Sequence, residues 1–257
     1  MCELNQDSVS SGFSETEDRI TASDDYASRF AGPVGEYFLA VQTSITLDLL
    51  QGMDGATVLD VGGGHAQLAV PLVRKGFQVT VTGSDDTCRE RLDRLLESGS
   101  FTYQTCDCLN LPFADRSFTV VLAFRLLPHV TAWKRLLEEM CRVAEQTVIL
   151  DYPDIRSFNI LYRLLFGLKR SLEGNTRTYS LFSRSQVGSV LRNQGFSRLV
   201  YRPEFFWPMV LHRKIGNPRI AGMLEAVVRL PGLTSLFGSP IIVRAMRSPD
   251  GQRIRDA

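Results

Sequence analysis

The stretch Val58-Leu59-Asp60-Val61-Gly62-Gly63-Gly64-His65-Ala66 constrains the fold of this chain more than any other. A short, mainly apolar run enters consecutive glycines, and a helical pattern begins just beyond them. Such a run reads as a buried strand, a tight turn and the first turn of a helix, the repeating unit of open α/β sheets. Glycines at the turn let the chain bend sharply and let a ligand lie against bare backbone N–H groups. Asp60 sets this turn apart from an ordinary nucleotide loop. A carboxylate there repels a pyrophosphate and suits a ligand that carries an ammonium group. A nicotinamide fingerprint would need Gly-x-Gly-x-x-Gly, and Gln67 stands where its third glycine belongs.

The next ninety or so residues repeat the strand–helix alternation. After a helix over Gln67–Lys75, Phe77–Gly83 reads as a second buried strand that ends in Ser84-Asp85-Asp86. An acid at that place, about 20 residues beyond a glycine turn, is where such folds hold ribose hydroxyls. Cys106-Asp107-Cys108-Leu109-Asn110-Leu111-Pro112-Phe113 follows, then a fourth strand over Ser117–Phe124 and the loop Leu126–Val130. A helix over Ala132–Val143 and a fifth strand over Thr147–Asp151 complete the run. In order and spacing these segments resemble the motifs of the class I S-adenosylmethionine-dependent methyltransferases, over about residues 22 to 210.

The resemblance implies a Rossmann-like, doubly wound α/β fold. Its seven-stranded, mostly parallel sheet has the order 3-2-1-4-5-7-6, an antiparallel last strand and a helical lid insert. It also implies S-adenosyl-L-methionine as cofactor. On that pattern Asp60 faces the methionine ammonium, and Gly62, Gly63 and Gly64 leave room for the amino-acid tail. Asp85 holds the ribose, with Asp86 the neighbouring alternative. Asp107 receives the adenine amino group, and Cys108 packs on the ring or donates to it. The carbonyl of Phe124 accepts from the ammonium. Tyr26 and Arg29 match an N-terminal segment folded over the cofactor's carboxylate end. The other reading of that segment is a helix anchored to the sheet by Tyr26 and Phe30 at i and i+4.

Methyl transfer from a sulfonium is an in-line displacement, so alignment is the protein's main task and no metal is required. A general base is needed only for an acceptor that arrives protonated. His129, in the loop after the fourth strand, is the first catalytic candidate, its other reading being to shape the cofactor loop, and Asp151 and Tyr152 are the next. Tyr152 at the end of strand five, Tyr179 and Trp207 are the candidate acceptor-binding residues. Trp207 belongs to the aromatic-rich Glu204–Leu211, read as a continuation of strand six that either lines a pocket or fills the core. Enzymes acting on nucleic-acid amino groups usually carry Asn/Asp-Pro-Pro-aromatic after strand four. Here the chain reads Phe124-Arg125-Leu126-Leu127, which points to a small-molecule acceptor and no nucleic-acid partner.

At 257 residues the chain is about the size of one large α/β domain, expected over 26–247 with a lid insert near 155–182. Residues 1–25, acidic and rich in Ser and Thr, read as a disordered tail rather than a signal peptide, and 248–257 as a second tail. Five cysteines without metal-ligand spacing fit reduced thiols in the cytoplasm. No apolar run is long enough to span a membrane. Charge is divided: residues 1–151 carry 12 Lys+Arg against 22 Asp+Glu, a net of −10, and 152–257 carry 17 against 6, a net of +11. The basic half suggests an anionic acceptor or surface, unless the charges are simply solvated. Arg156–Arg170 is an amphipathic basic helix by pattern, suited to a lid or to peripheral membrane contact. Two further readings remain: a peripheral-membrane methyltransferase of a lipid or quinone-like acceptor, and a catalytically silent cofactor-binding scaffold. Nothing in the sequence specifies an oligomeric state.

Overall fold

A computed structural model describes residues 12–157 and 180–248. Its sheet has seven strands: β1 (Thr57–Val61), β2 (Gln78–Gly83), β3 (Thr102–Thr105), β4 (Phe118–Ala123), β5 (Ala144–Tyr152), β6 (Phe196–Pro203) and β7 (Ile241–Arg247). The order is β3-β2-β1-β4-β5-β7-β6, with β7 antiparallel to both of its neighbours and the other pairings parallel. This is the expected order. The two crossovers that run outward from β1 in opposite directions leave a crevice at the carboxyl ends of β1 and β4, where ligands bind in such sheets.

Alternation along the central strands builds two cores. Leu59, Val61, Val121, Ala123, Val148 and Leu150 point to one face, covered by α6 (Trp133–Val143) and α7 (Arg184–Asn193). Val58, Val120, Leu122 and Ile149 point to the other, together with residues of α3 (Gly32–Leu49), α4 (Ala69–Arg74) and α5 (Glu90–Leu95). The strands are apolar on both faces because both are covered. The start of α7 is set by a capping box: the Ser183 hydroxyl accepts from the Gln186 N–H and the Gln186 side chain accepts from the Ser183 N–H. Gly195, at φ +86°, then turns the chain into β6.

Two expectations change. Glu204–Leu211 does not continue β6: the chain turns at Glu204 and enters α8 (Met209–Ile215), followed by α9 (Pro218–Arg229) and α10 (Leu233–Phe237). Backbone pairing runs out at Phe205, whose carbonyl accepts from the Ser239 N–H, and Pro208 sits just ahead of α8, where a fixed φ starts a helix. Residues 12–25 are not a featureless tail: α1 (Asp18–Ala22) is followed by α2 (Asp24–Ser28), and Asp18 is buried. The acidic, hydroxyl-rich composition reads as disorder, but Asp18 finds donors in the folded domain. Most of the expected lid, including Tyr179 and nearly all of the basic helix 156–170, lies outside the described residues.

The loop Asp107–Phe113 is held from α6. Glu139, almost fully buried, accepts from the Leu111 N–H at 3.0 Å, Arg142 at 2.8 Å and Arg135 at 3.0 Å. Arg142 also donates to the carbonyls of Leu111 and Phe113 at 2.8 Å each. Burial pushes the Glu139 carboxyl up, yet the Arg142 hydrogen bond and the Leu111 N–H outweigh it and hold the group below its ordinary value. Its stabilisation is therefore present above the unfolded value near 4.5 and is lost as pH falls through the lower folded one. Glu139→Ala is expected to cost about 3 kcal/mol at neutral pH, because it takes the buried acceptor from the Leu111 N–H and leaves Arg142 and Arg135 only the exposed carboxylates of Asp115 and Glu138. Urea unfolding at pH 7 and at pH 4 measures this, and the difference between variant and wild type should shrink at the lower pH.

Candidate active site

The carboxyl ends of β1, β2 and β4 meet around the glycine turn. Gly62 adopts φ +70° and Ala66 φ +60°, enclosing a short helical turn over Gly63–His65. Close approach, more than left-handed geometry, explains the glycines that follow. A Cβ on Gly63 would lie 2.3 Å from the Asp60 carboxyl carbon, and one on Gly64 would lie 2.5 Å from the Cys88 carbonyl oxygen. Asp60 is fully buried under this turn, and neither of its carboxylate oxygens has a hydrogen-bond partner among the described residues. Burial alone pushes its pKa up to about 8. A buried carboxylate without a donor is costly, and a group that brings both donors and positive charge would relieve that cost.

His65 ties the turn to β4. Its Nε2 lies 3.2 Å from the Phe124 carbonyl oxygen, and its Nδ1 accepts from the Gln67 N–H at 3.1 Å. Together these require the neutral Nε2–H tautomer. Burial, the largest influence, lowers its pKa to about 4 and agrees with that form. Phe124 thereby spends one carbonyl lone pair on His65 and keeps a second for another donor.

Asp85 caps a short turn, accepting from the Thr87 N–H at 2.9 Å and the Thr87 hydroxyl at 2.7 Å, with Arg19 at 3.7 Å. Those Thr87 hydrogen bonds hold its carboxyl below the ordinary value. Asp86 faces outward and bonds the Thr105 hydroxyl. Asp107 accepts from the Leu109 N–H at 2.8 Å. Cys106 and Cys108 both line the cleft with Gly62, Thr82, Gly83 and Ser84. Burial raises both thiols, Cys106 to about 12, so neither is a nucleophile.

The N-terminal segment lies across this cleft. The Asp18 carboxylate accepts from the Ser84 N–H and the Ser84 hydroxyl, each at 2.6 Å, and its Cβ packs 3.4 Å from where a Gly62 side chain would start. Glu15 accepts from the N–H groups of Thr131 and Ala132 at 2.9 and 3.0 Å, ahead of α6. Only about 10 Å³ of cavity is left beneath them, no more than one water molecule needs. A larger cavity of about 300 Å³ opens beside the glycine turn, lined by Thr21, Tyr26, Phe30, Leu39, His65 and Arg91 among others. Tyr26 is buried and its ring packs on Phe30 at 5.7 Å. Arg29 instead faces outward, over the Tyr26 ring and near Asp25.

Beyond Phe124 the structure assembles a polar cluster that sequence reasoning did not foresee as a unit. Arg125, at φ +59°, donates its N–H to Asp151 at 2.7 Å and its guanidinium to Gln42 of α3 at 2.6 Å, and stacks over Phe30. Glu204 is fully buried, and its carboxylate oxygens have no hydrogen-bond partner among the described residues. Burial pushes Glu204 up to about 8, with Arg125 pulling the other way. Burial likewise raises Asp151, opposed by Arg125. The only local signal was a lone arginine inside the apolar run Phe124–Leu127. His129 closes a short turn over Leu127–His129 and is half-buried. Tyr152 points to the opposite face from Asp151, fully buried against Phe182 at 6.1 Å, in the core rather than in the cleft. Trp207 packs edge-on to Phe206 and donates its backbone N–H to Glu225 of α9. It therefore belongs to the α8–α10 group. No cluster of three or more metal-binding side chains occurs among the described residues.

Residues 59–150 match the protein-family model described as "Methyltransferase domain". A demethylmenaquinone methyltransferase of Deinococcus radiodurans is 27% identical over 169 residues, 56% of this chain and 69% of that protein. An O-methyltransferase of Pyrenophora dematioidea is 26% identical over 115 residues, 42% of this chain and 43% of that one. The matches thus span 43% and 69% of the length of these two curated relatives. In fold the chain is similar to the magnesium protoporphyrin IX methyltransferase of Synechocystis PCC 6803 with bound S-adenosylhomocysteine. That likeness has a TM-score of 0.62 and 17% identity, and covers 87% of this chain and 94% of that one.

Proposed function

We propose that this chain, with a methyltransferase domain over residues 59–150 and the fold of such enzymes, is a class I S-adenosylmethionine-dependent methyltransferase that methylates a small-molecule acceptor. The observation that carries the site is Asp60: a fully buried carboxylate without a donor, beneath a glycine turn with no side chain in the way. That is the chemistry a methionine ammonium completes. S-adenosyl-L-methionine, when bound, supplies a methyl group activated on a sulfonium.

The chain's own residues then position the reactants. Asp60 and the second lone pair of the Phe124 carbonyl hold the ammonium, and Gly62–Gly64 leave space for the amino-acid tail. Asp85 accepts from the ribose, and Asp107 and Cys108 flank the adenine. His65, neutral, locks the glycine turn onto the end of β4, so Asp60 and Phe124 keep a fixed separation. The Arg125–Asp151 pair fixes the backbone just past Phe124, where the acceptor would approach. His129 is the proposed base for an acceptor that arrives protonated. Tyr26 lines the cavity beside the glycine turn, and Arg29, Tyr152, Tyr179 and Trp207 carry no role in this reading.

The cofactor and α1 compete for one cleft, so binding displaces Asp18 from Ser84. Asp18→Ala is accordingly expected to tighten cofactor binding by about 5- to 10-fold, because the closed state loses two charge-assisted hydrogen bonds. Calorimetric titration with S-adenosylmethionine and S-adenosylhomocysteine tests the reading itself. Wild type should bind in the micromolar range, and Asp85→Ala should bind at least about 10-fold more weakly. Binding of neither compound by wild type and by Asp18→Ala would sink it. Turnover against phenols, amines and lipid-like acids separates an enzyme from a silent cofactor-binding scaffold.

A further inference from the structure

Large apolar side chains that remain exposed are concentrated in one place. Ten are exposed among the described residues, and eight of them lie between Val210 and Phe237. On α9, Ile220, Met223, Val227 and Leu230 are 47%, 69%, 68% and 90% exposed. At 100° per residue they fall within an arc of about 80°, on the side away from the buried Ala221, Glu225 and Val228. Val210 on α8 and Leu236 and Phe237 on α10 are also exposed. A patch of this kind on a folded domain marks a surface that meets an apolar phase or a partner.

The charges around it indicate which. Between Met209 and Phe237 the charged residues are Arg213, Lys214, Arg219, Glu225 and Arg229. Glu225 is buried, where it accepts from the N–H groups of Phe206 and Trp207 and pairs with His212. All four exposed charges are basic, and none pairs with a carboxylate among the described residues. An apolar stripe with a wholly cationic rim is the pattern of a helix lying in a membrane interface. A second copy would bring four positive charges against four, which disfavours self-association.

We infer that the α8–α10 face docks this protein on an anionic lipid bilayer, with α9 lying along the surface and its Ile220–Leu230 stripe entering the headgroup boundary. The basic side chains Lys214 and Arg219 supply the attraction to acidic headgroups, and their aliphatic stems extend the apolar contact. The inference goes beyond the proposed reaction and stands independently of which acceptor is used.

Sedimentation of the full chain with phosphatidylglycerol-containing vesicles, and with pure phosphatidylcholine vesicles as control, tests it. Wild type should bind the anionic vesicles, more weakly as salt rises, and bind the neutral ones poorly. Met223→Ser/Val227→Ser/Leu230→Ser should lower binding by about 10-fold or more, and Lys214→Gln/Arg219→Gln by about 10-fold with a flatter salt dependence. Because the three substituted side chains are exposed, the serine variant should melt where wild type does. Three results would each overturn the proposal. One is failure of wild type to bind anionic vesicles at low salt. A second is undiminished binding by the serine variant. The third is an oligomer in wild type that the serine variant abolishes, which would assign the face to a second copy.

Discussion

Asp60→Asn is expected to stabilise the ligand-free protein at neutral pH and, in the same molecule, to abolish most of its cofactor affinity. In the fold the Asp60 carboxyl has its pKa raised from 3.8 to about 8 by burial. Between those values the folded state retains a proton that the unfolded chain releases, so stability falls as pH rises through that window. At about 1.4 kcal/mol per pH unit the loss is on the order of 4 kcal/mol at pH 7 and levels off above pH 8. Asparagine carries no such penalty. Variant and wild type should therefore melt alike near pH 4 and diverge in the variant's favour towards pH 8. An ammonium bound beside Asp60 favours the ionised carboxylate, so binding below pH 8 should release close to one proton. Calorimetry in buffers of different ionisation enthalpy reads that proton, and it should be absent in the variant. Affinity should fall by at least about 100-fold, the usual consequence of removing one partner from a buried charge pair. An Asp60→Asn protein that binds the cofactor like wild type would remove Asp60 from the site.

Glu225→Ala is expected to loosen the α8–α10 group while leaving the cofactor cleft intact. Glu225 receives the Phe206 N–H at 2.8 Å, the Trp207 N–H at 3.0 Å and the His212 ring at 2.8 Å, all from the segment that leaves β6. His212 is itself fully buried, and its ring lies within 6.0 Å of both Phe38 of α3 and Phe205. Removing the carboxylate withdraws one acceptor from three donors at once, at a cost of about 3–5 kcal/mol. Hydrogen exchange should show faster opening over residues 205–239, with little change in β1, β2 and β4. Glu225→Gln, which keeps an acceptor oxygen, should recover part of the protection. If exchange rises uniformly across the sheet instead, Glu225 supports the whole domain and not this group alone.

Much of the fold could be read directly from the residues, because the information was local. An apolar run, an acid and three glycines specify strand, turn and helix without reference to distant parts, and the ordered repeats of that unit carried the family resemblance, which implied the strand order. Other features depend on contacts that no local pattern carries. Asp18 meets Ser84 across 66 residues, so an acidic N-terminal segment read as a tail becomes a plug in the cleft. Asp151 and Tyr152 are neighbours in β5, yet the pleat sends them to opposite faces. Which face holds a site and which holds core was settled by α3 on one side and by Phe182 and α7 on the other. Arg125, Asp151 and Glu204 come from the ends of three strands and become one cluster only when the sheet closes. The apolar residues of α9 raise the same question in reverse. Their periodicity indicates a helix with a greasy side, but Ala221, Glu225 and Val228 were the side that packed inward, leaving Ile220, Met223, Val227 and Leu230 outside. Thus the sequence by itself determined the strand–turn–helix units and the carboxylate at the glycine turn, since these rest on backbone sterics and short-range pattern. Tertiary structure alone decided which carboxylates lost their water, which found donors and which apolar face stayed exposed. Burial is a property of how the elements pack, and no single element contains it.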